Sequence, residues 1–194
     1  MSMRVIAGRW RGRALKAPPG RATRPTLGRA RESLFSILGP RLEGARVLDG
    51  YAGSGALGIE ALSRGASAVI FMEQAPAALA ALRANLLALG ATGEETLVLP
   101  LDVRRAFASD EPPGGVAPLD LVLLDPPYGS GLAEEAVRRL GRARPAAWLG
   151  RGALVAAQVG RDDPMPEASG TLRLTRREFY GRTRVDFFEQ VDQP

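Results

Sequence analysis

The sequence predicts an α/β fold: a mostly parallel seven-stranded sheet with helices on both faces, an antiparallel strand at its C-terminal end, and a small N-terminal β-hairpin extension. Three observations predict it. From Arg46 onward, short and almost uniformly apolar segments alternate with helical ones, the pattern of strands buried on both faces. Only Tyr180-Gly181-Arg182-Thr183 separates the last two strand-like segments, which allows a hairpin but no crossover helix, so at least one terminal strand runs antiparallel. Ahead of this region, Val5 to Lys16 mixes short apolar and basic stretches around Gly8 and Gly12, as in a hairpin with arginines on its exposed face. At 194 residues the chain matches one main domain with a small appendage. The expected division is an extension over residues 1–25 and a main domain over 26–194.

Each element has its own signal. Pro18, Pro19 and Gly20 break the chain after the hairpin, and Arg24-Pro25-Thr26 reads as an extended lead into a helix. Leu27, Ala30, Leu34, Ile37 and Leu38 recur at helical spacing, and Gly39-Pro40 ends that helix. Strands are then expected at Arg46 to Asp49, Ala68 to Glu73, Thr96 to Leu101, Leu119 to Asp125 and Ala153 to Val159. Helices fall between them at Ala56 to Ser63, Ala77 to Leu89, Val103 to Ala108 and Leu132 to Leu140. Leu172 to Phe179 and Arg184 to Gln190 complete the seven strands.

Composition narrows the chemistry. The chain has no cysteine and no histidine, which removes disulfides, thiolate nucleophiles, imidazole bases and ordinary zinc sites. No signal-peptide core and no apolar run of membrane-spanning length occurs, so a soluble cytoplasmic protein, by default a monomer, is expected. Charge is uneven: through Arg46 there are eleven basic residues against two acidic ones, although the net charge is only +5. Such asymmetry points to a polyanionic partner, nucleic acid first, while a solvated basic tail is the plainer reading.

The most informative stretch is Val47-Leu48-Asp49-Gly50-Tyr51-Ala52-Gly53-Ser54-Gly55-Ala56-Leu57-Gly58, which runs from a strand through a glycine turn into a helix. Gly53, Gly55 and Gly58 spell G-x-G-x-x-G, and Glu73 lies twenty residues beyond Gly53, so spacing alone fits a dinucleotide site. Asp49 argues against a pyrophosphate. A carboxylate at that strand end repels phosphate but pairs with a ligand ammonium, which S-adenosylmethionine carries. Glu73 can accept from ribose hydroxyls under either reading. Asp102, after the third strand, is placed to accept from an adenine amine, with Val103 offering its amide. Each acid alone could be a solvated strand end; acids at three successive strand ends are harder to explain that way.

After the fourth strand comes Asp125-Pro126-Pro127-Tyr128-Gly129. Two prolines stop a strand without further help, but that does not account for the carboxylate before them or the aromatic ring after them. Methyl transfer to an exocyclic base amine uses both. Asp125 and the carbonyl of Pro126 can accept the two N–H bonds and aim the nitrogen lone pair, Pro127 stiffens the loop, and Tyr128 offers a face for the base.

Together these motifs resemble class I methyltransferases that modify exocyclic amines. Within them, Arg4-Val5-Ile6-Ala7-Gly8-Arg9-Trp10-Arg11-Gly12, Arg24-Pro25-Thr26, Arg29, Arg31-Glu32 and Leu34-Phe35, with Gly53 through Ala66, resemble the RsmD family over nearly the whole chain. The resemblance implies a Rossmann-like fold and methylation of the N2 amine of one guanine in bacterial 16S ribosomal RNA. The expected substrate is a partly or fully assembled small ribosomal subunit. S-adenosylmethionine would be the cofactor, S-adenosylhomocysteine the product, and no metal would be needed. Cofactor contacts are expected from Asp49, Tyr51, Ala52, Gly53, Ser54, Gly55, Glu73, Gln74, Asp102, Val103 and Asp125. RNA contacts are expected from Arg4, Arg9, Trp10, Arg11, Arg13, Lys16, Arg24 and Arg29, with packing of the hairpin onto the domain as the alternative role for Trp10. The sequence departs from the family pattern at Gly50-Tyr51, where a larger residue followed by phenylalanine is usual, and at Gln74. The alternatives are a DNA adenine-N6 or cytosine-N4 methyltransferase and a non-catalytic RNA-binding assembly factor on the same fold.

Overall fold

The computed structural model describes residues 3–18, 25–91, 93–109, 112–113, 118–142 and 148–191, with backbone alone at 25–27. Arg24 and the side chain of Thr26, both part of the expected family motif, lie outside the described residues.

The strands and helices alternate much as their apolar periodicity requires. In chain order they are β1 (Met3–Arg4), β2 (Ala14–Leu15), α1 (Pro25–Leu38), β3 (Arg46–Gly50), α2 (Ala56–Ser63), β4 (Ala68–Met72), α3 (Pro76–Leu89) and β5 (Thr96–Leu99). There follow α4 (Val103–Ala106), β6 (Leu119–Leu124), α5 (Leu132–Arg142), β7 (Leu149–Gly160), β8 (Ala168–Ser169), β9 (Leu172–Tyr180) and β10 (Thr183–Gln190).

Among the described residues the main sheet has eight strands, in the order β5-β4-β3-β6-β7-β10-β9-β8, one more than expected. The parallel block β5-β4-β3-β6-β7 is followed by antiparallel pairings of β10 with β7, β9 with β10 and β8 with β9. The extra strand is β8, whose two residues pair with Leu172 and Arg173 through a tight turn at Gly170, φ +55°. Two residues carry no periodic signal, so the segment could not be recognised from pattern.

Strand alternation sends side chains to two cores. Val47, Phe71, Leu121, Leu123, Ala156, Val185 and Phe187 pack with α1, α2 and α3 on one face. Leu48, Ile70, Met72, Val122, Leu124, Val155 and Phe188 pack with α4 and α5 on the other, where Trp148 meets Phe107 edge to face at 4.9 Å. The order also places the ends of β3, β4, β5 and β6 along one edge, where open α/β sheets bind ligands.

The N-terminal segment is shorter as a ladder than expected and more firmly docked. Only Met3–Arg4 and Ala14–Leu15 pair, while residues 5–13 form a loop seated on α2. Buried Glu60 accepts from the amides of Ile6 (2.7 Å) and Ala7 (3.0 Å), and Ser63 Oγ accepts from Trp10 N–H and donates to the Ala7 carbonyl. A Cβ on Gly8 would sit 1.7 Å from the Ser63 carbonyl oxygen, so this glycine is required by a close approach as well as by its φ of +80°.

Candidate active site

The glycine loop is held from below by Asp49, whose Oδ2 accepts from Gly58 N–H at 2.8 Å. The side chain is 1 % exposed. Burial pushes its pKa up from 3.8 to about 7, opposed by the Gly58 hydrogen bond and reinforced by the charges of Asp125 and Glu73. Asp49 therefore lies beneath the loop, with one oxygen already committed to it. The three glycines divide their work: Gly53 and Gly55 adopt φ of +58° and +85°, whereas a Cβ on Gly58 would strike the Phe71 ring at 2.3 Å, so this last one lets α2 lie against β4.

Glu73, half-buried after β4, closes the loop from the next strand. Its Oε2 accepts from Gly53 N–H and its Oε1 from the amides of Gln74 and Ala75, each at 2.8 Å. Gln74 itself is exposed. Ala52 and Ser54 are buried in the turn, and Ser54 offers its carbonyl to Asn85 of α3. Buried Asn85 also receives Lys16 N–H and donates to the Lys16 carbonyl, tying the cofactor loop to the exit of the N-terminal arm through a residue the sequence did not single out.

Asp102 caps α4 by accepting from Arg104 N–H at 2.9 Å, and it pairs with the Arg104 guanidinium at 2.6 Å. The Arg104 hydrogen bond holds its carboxyl below the ordinary range. An adenine amine at this position would share the carboxylate with Arg104. Val103 is buried beside it.

The catalytic candidate begins one residue after β6. Asp125 Oδ1 accepts from Gln158 Nε2 at 2.9 Å, and the same amide nitrogen lies 3.0 Å from the Tyr128 hydroxyl, which is 3.1 Å from Thr183 Oγ1. Gln158 and Thr183 are 3 % and 2 % exposed, so the loop is gripped by two buried side chains from β7 and β10. Downstream, the Asp163 carboxylate accepts from Gly129 N–H at 2.9 Å and from Gly160 N–H at 2.9 Å. None of these braces was anticipated. A glutamine in an apolar strand beside Val159 was the only available signal for Gln158, and nothing in the sequence paired it with Asp125.

The basic residues of the arm fall into two groups. Arg4 donates to the Gly12 carbonyl, Arg13 to the Ala88 carbonyl, and Arg9 pairs with Glu95 at 2.6 Å while stacking over the Trp10 ring at 3.9 Å. Trp10 is half-buried and packs against the main core, which matches the packing role allowed for it. Arg11, Lys16 and Arg29 are exposed.

The strand ends that carry Asp49, Glu73 and Asp125 form an acidic cluster, in which the charges of Asp125 and Glu73 are felt at buried Asp49. It suits a ligand bearing positive charge and opposes a pyrophosphate. Comparison with known proteins places the chain in a family. Residues 3–189 match a family model described as Conserved hypothetical protein 95. The chain is 37% identical over 163 residues to the ribosomal RNA small subunit methyltransferase D of Haemophilus influenzae, covering 84% of this chain and 81% of that one. It is 33% identical over 191 residues to the Escherichia coli protein of the same name, covering 98% and 91%. The chain belongs to the RsmD family. A solved structure of Escherichia coli yhhF superposes with a TM-score of 0.84 at 32% identity over the full length of both chains.

As a member of the RsmD family the chain is a methyltransferase, and its departures from the family pattern have structural consequences. A Cβ at Gly50 would come within 3.0 Å of both Leu124 and Val103 side chains, so a larger residue here would need both neighbours to shift. Tyr51 adopts φ +70°, the one non-glycine to do so among the described residues. That conformation costs roughly 1–2 kcal/mol. Its hydroxyl, which phenylalanine would lack, donates to the Leu132 carbonyl at 3.2 Å and links the glycine loop to the first turn of α5. Burial, with Asp102 nearby, pushes the Tyr51 pKa upward.

Proposed function

We propose that this protein transfers the methyl group of S-adenosylmethionine to the exocyclic N2 amine of one guanine in 16S ribosomal RNA, in a partly or fully assembled small subunit. The observation that carries this reading is the clamped Asp125. With Oδ1 fixed by Gln158, the carboxylate plane is set before substrate arrives, as preorganised catalysis requires. The names of the relatives, which act on small-subunit ribosomal RNA, support the substrate class.

Asp49, Tyr51 to Gly55, Glu73, Gln74, Asp102 and Val103 would hold the cofactor, which when bound supplies a methyl group activated on a sulfonium. Asp125 and the Pro126 carbonyl accept the two N–H bonds of the amine and orient it. The Tyr128 ring, its hydroxyl held between Gln158 and Thr183, gives the base a fixed surface to stack on. A base paired in a helix cannot reach this depth, so the target is unpaired or turned out of its stack.

The test is to incubate the protein with isotope-labelled S-adenosylmethionine and, separately, stripped 16S RNA, assembled small subunits lacking the methyl group, and duplex DNA. Mass spectrometry should place the label on one guanine N2 of the ribosomal RNA. Label on DNA, or on a base other than guanine, rejects the proposal.

A further inference from the structure

We propose that the tip of the β9–β10 hairpin, with the turn after β7, is a second contact surface for the RNA strand on the flank of the catalytic loop opposite the N-terminal arm. This rests on the RNA reading given above and adds residues that the charge pattern of the N-terminus could not reveal. Phe179 is 51 % exposed, one of two large apolar side chains exposed to that degree among the described residues. The Arg161 guanidinium lies over its ring at 5.2 Å, and Arg182 is exposed at the tip between them. An exposed ring, an arginine over it and a neighbouring arginine form the kind of surface that stacks an unpaired base and holds its phosphates. Asp162 is the exposed acid in the same turn; the adjacent Asp163 is taken up by Gly129 and Gly160.

The surface is built rigidly and is tied to the catalytic loop. Arg161 donates its N–H to the Arg182 carbonyl at 2.9 Å and its guanidinium to the Gly181 carbonyl at 3.3 Å. Buried Arg184, paired with fully buried Asp186 at 2.8 Å, spends its other donors on the carbonyls of Arg161 (2.7 Å) and Asp163 (2.8 Å). A buried ion pair is a poor source of stability, but its geometry fixes where Arg161 stands. Asp163 then reaches Gly129, and Thr183, next to Arg182, reaches Tyr128. Sheet order puts β9 three strands from β6, about 14 Å at ordinary strand spacing. The arm sits on α2 and α3, on the other side of β6 in the sheet order.

The test compares wild type with Phe179→Ala, Phe179→Trp and Arg161→Ala/Arg182→Ala, using the ribosomal substrate that wild type methylates. Phe179→Ala should raise KM for RNA about tenfold, and Phe179→Trp, which restores a ring, should recover it. The double arginine variant should weaken RNA binding and reduce its salt slope by about 1–2. Cofactor affinity and kcat at saturating RNA should hold in all three. Variants that bind and methylate RNA as wild type does overturn the proposal for the tip alone. Wild-type protein that neither binds nor methylates ribosomal RNA overturns the reading beneath it, and the proposal with it.

Discussion

The two halves of the site are assembled in different ways. Over β3, β4 and β5, each carboxylate bonds to backbone amides no more than twenty residues away: Glu73 to Gly53, Gln74 and Ala75, Asp102 to Arg104, Asp49 to Gly58. Over β6, β7 and β10, the Asp125–Tyr128 loop is held by side chains thirty to fifty-five residues away, Gln158 and Thr183. A loop that shapes itself from its own backbone tolerates change in distant strands. A loop clamped from distant strands is set by them, and its function should be lost through residues that never touch substrate.

The largest effect should come from Asp125 itself. Asp125→Ala is expected to lower kcat by about two orders of magnitude or more, the usual result of removing a polarising group, while the variant still binds cofactor by calorimetry. Near-normal single-turnover methylation would break the assignment of chemistry to the clamped half.

Next comes the clamp. Gln158→Leu should lower kcat by about tenfold with KM for the cofactor unchanged, because the amide orients Asp125 without reaching the cofactor loop. Gln158→Glu sharpens the point: an ionised glutamate beside Asp125 repels it, but a protonated one can still donate. Activity of that variant should therefore rise as pH falls, the reverse of a simple packing defect. A pH profile parallel to that of wild type would rule out the orienting role.

This contrast also explains what was legible in the sequence. The strand and helix pattern, the antiparallel end and both loops could be read because their signals are local: apolar runs, a four-residue gap, Gly53-Ser54-Gly55, Asp125-Pro126-Pro127-Tyr128. Gln158, Thr183, Asp163 and Arg184 could not, because their partners are fixed by sheet order and register, and nothing local marks them. Asp49 could be singled out by its place at a strand end before the glycine turn, yet its burial and its bond to Gly58 could not, since both follow from how α2 folds back over β3. The stretch around Gly8 reads as a hairpin; the close approach of Ser63 to Gly8 became visible only once α2 lay beneath it.

The cofactor half is better probed by pH. Burial has raised Asp49 to about 7 from 3.8. Folded protein therefore holds a proton that the unfolded chain has released between those values, and this contribution to stability is lost as pH rises through the window. Above about 7, Asp49 is ionised and ready for a ligand ammonium. Affinity for S-adenosylmethionine should thus climb as pH approaches about 7 and fall again once the ligand ammonium loses its proton above about pH 8. Asp49→Asn should flatten that climb, weaken binding at high pH and raise Tm there. Unchanged pH dependence in the variant would break the assignment of the titration to Asp49.

The arm gives the smallest and most selective effects, because its cations are unequally available. Arg9 is already paired with Glu95 and stacked on Trp10, and Arg13 and Arg4 donate to carbonyls, whereas Arg11 is exposed. A phosphate neutralised by Arg11 displaces a counterion outright; one neutralised by Arg9 must first compete with a carboxylate. Arg11→Ala should therefore reduce the salt slope of RNA binding by about 1, and Arg9→Ala by less. Glu95→Gln releases Arg9 from an exposed pair worth at most about 1 kcal/mol. It should tighten RNA binding by up to about fivefold at low salt, a gain that fades as salt rises. Equal slopes for Arg9→Ala and Arg11→Ala would mean that the Glu95 pair opens freely on binding, leaving the arm as one undivided basic surface.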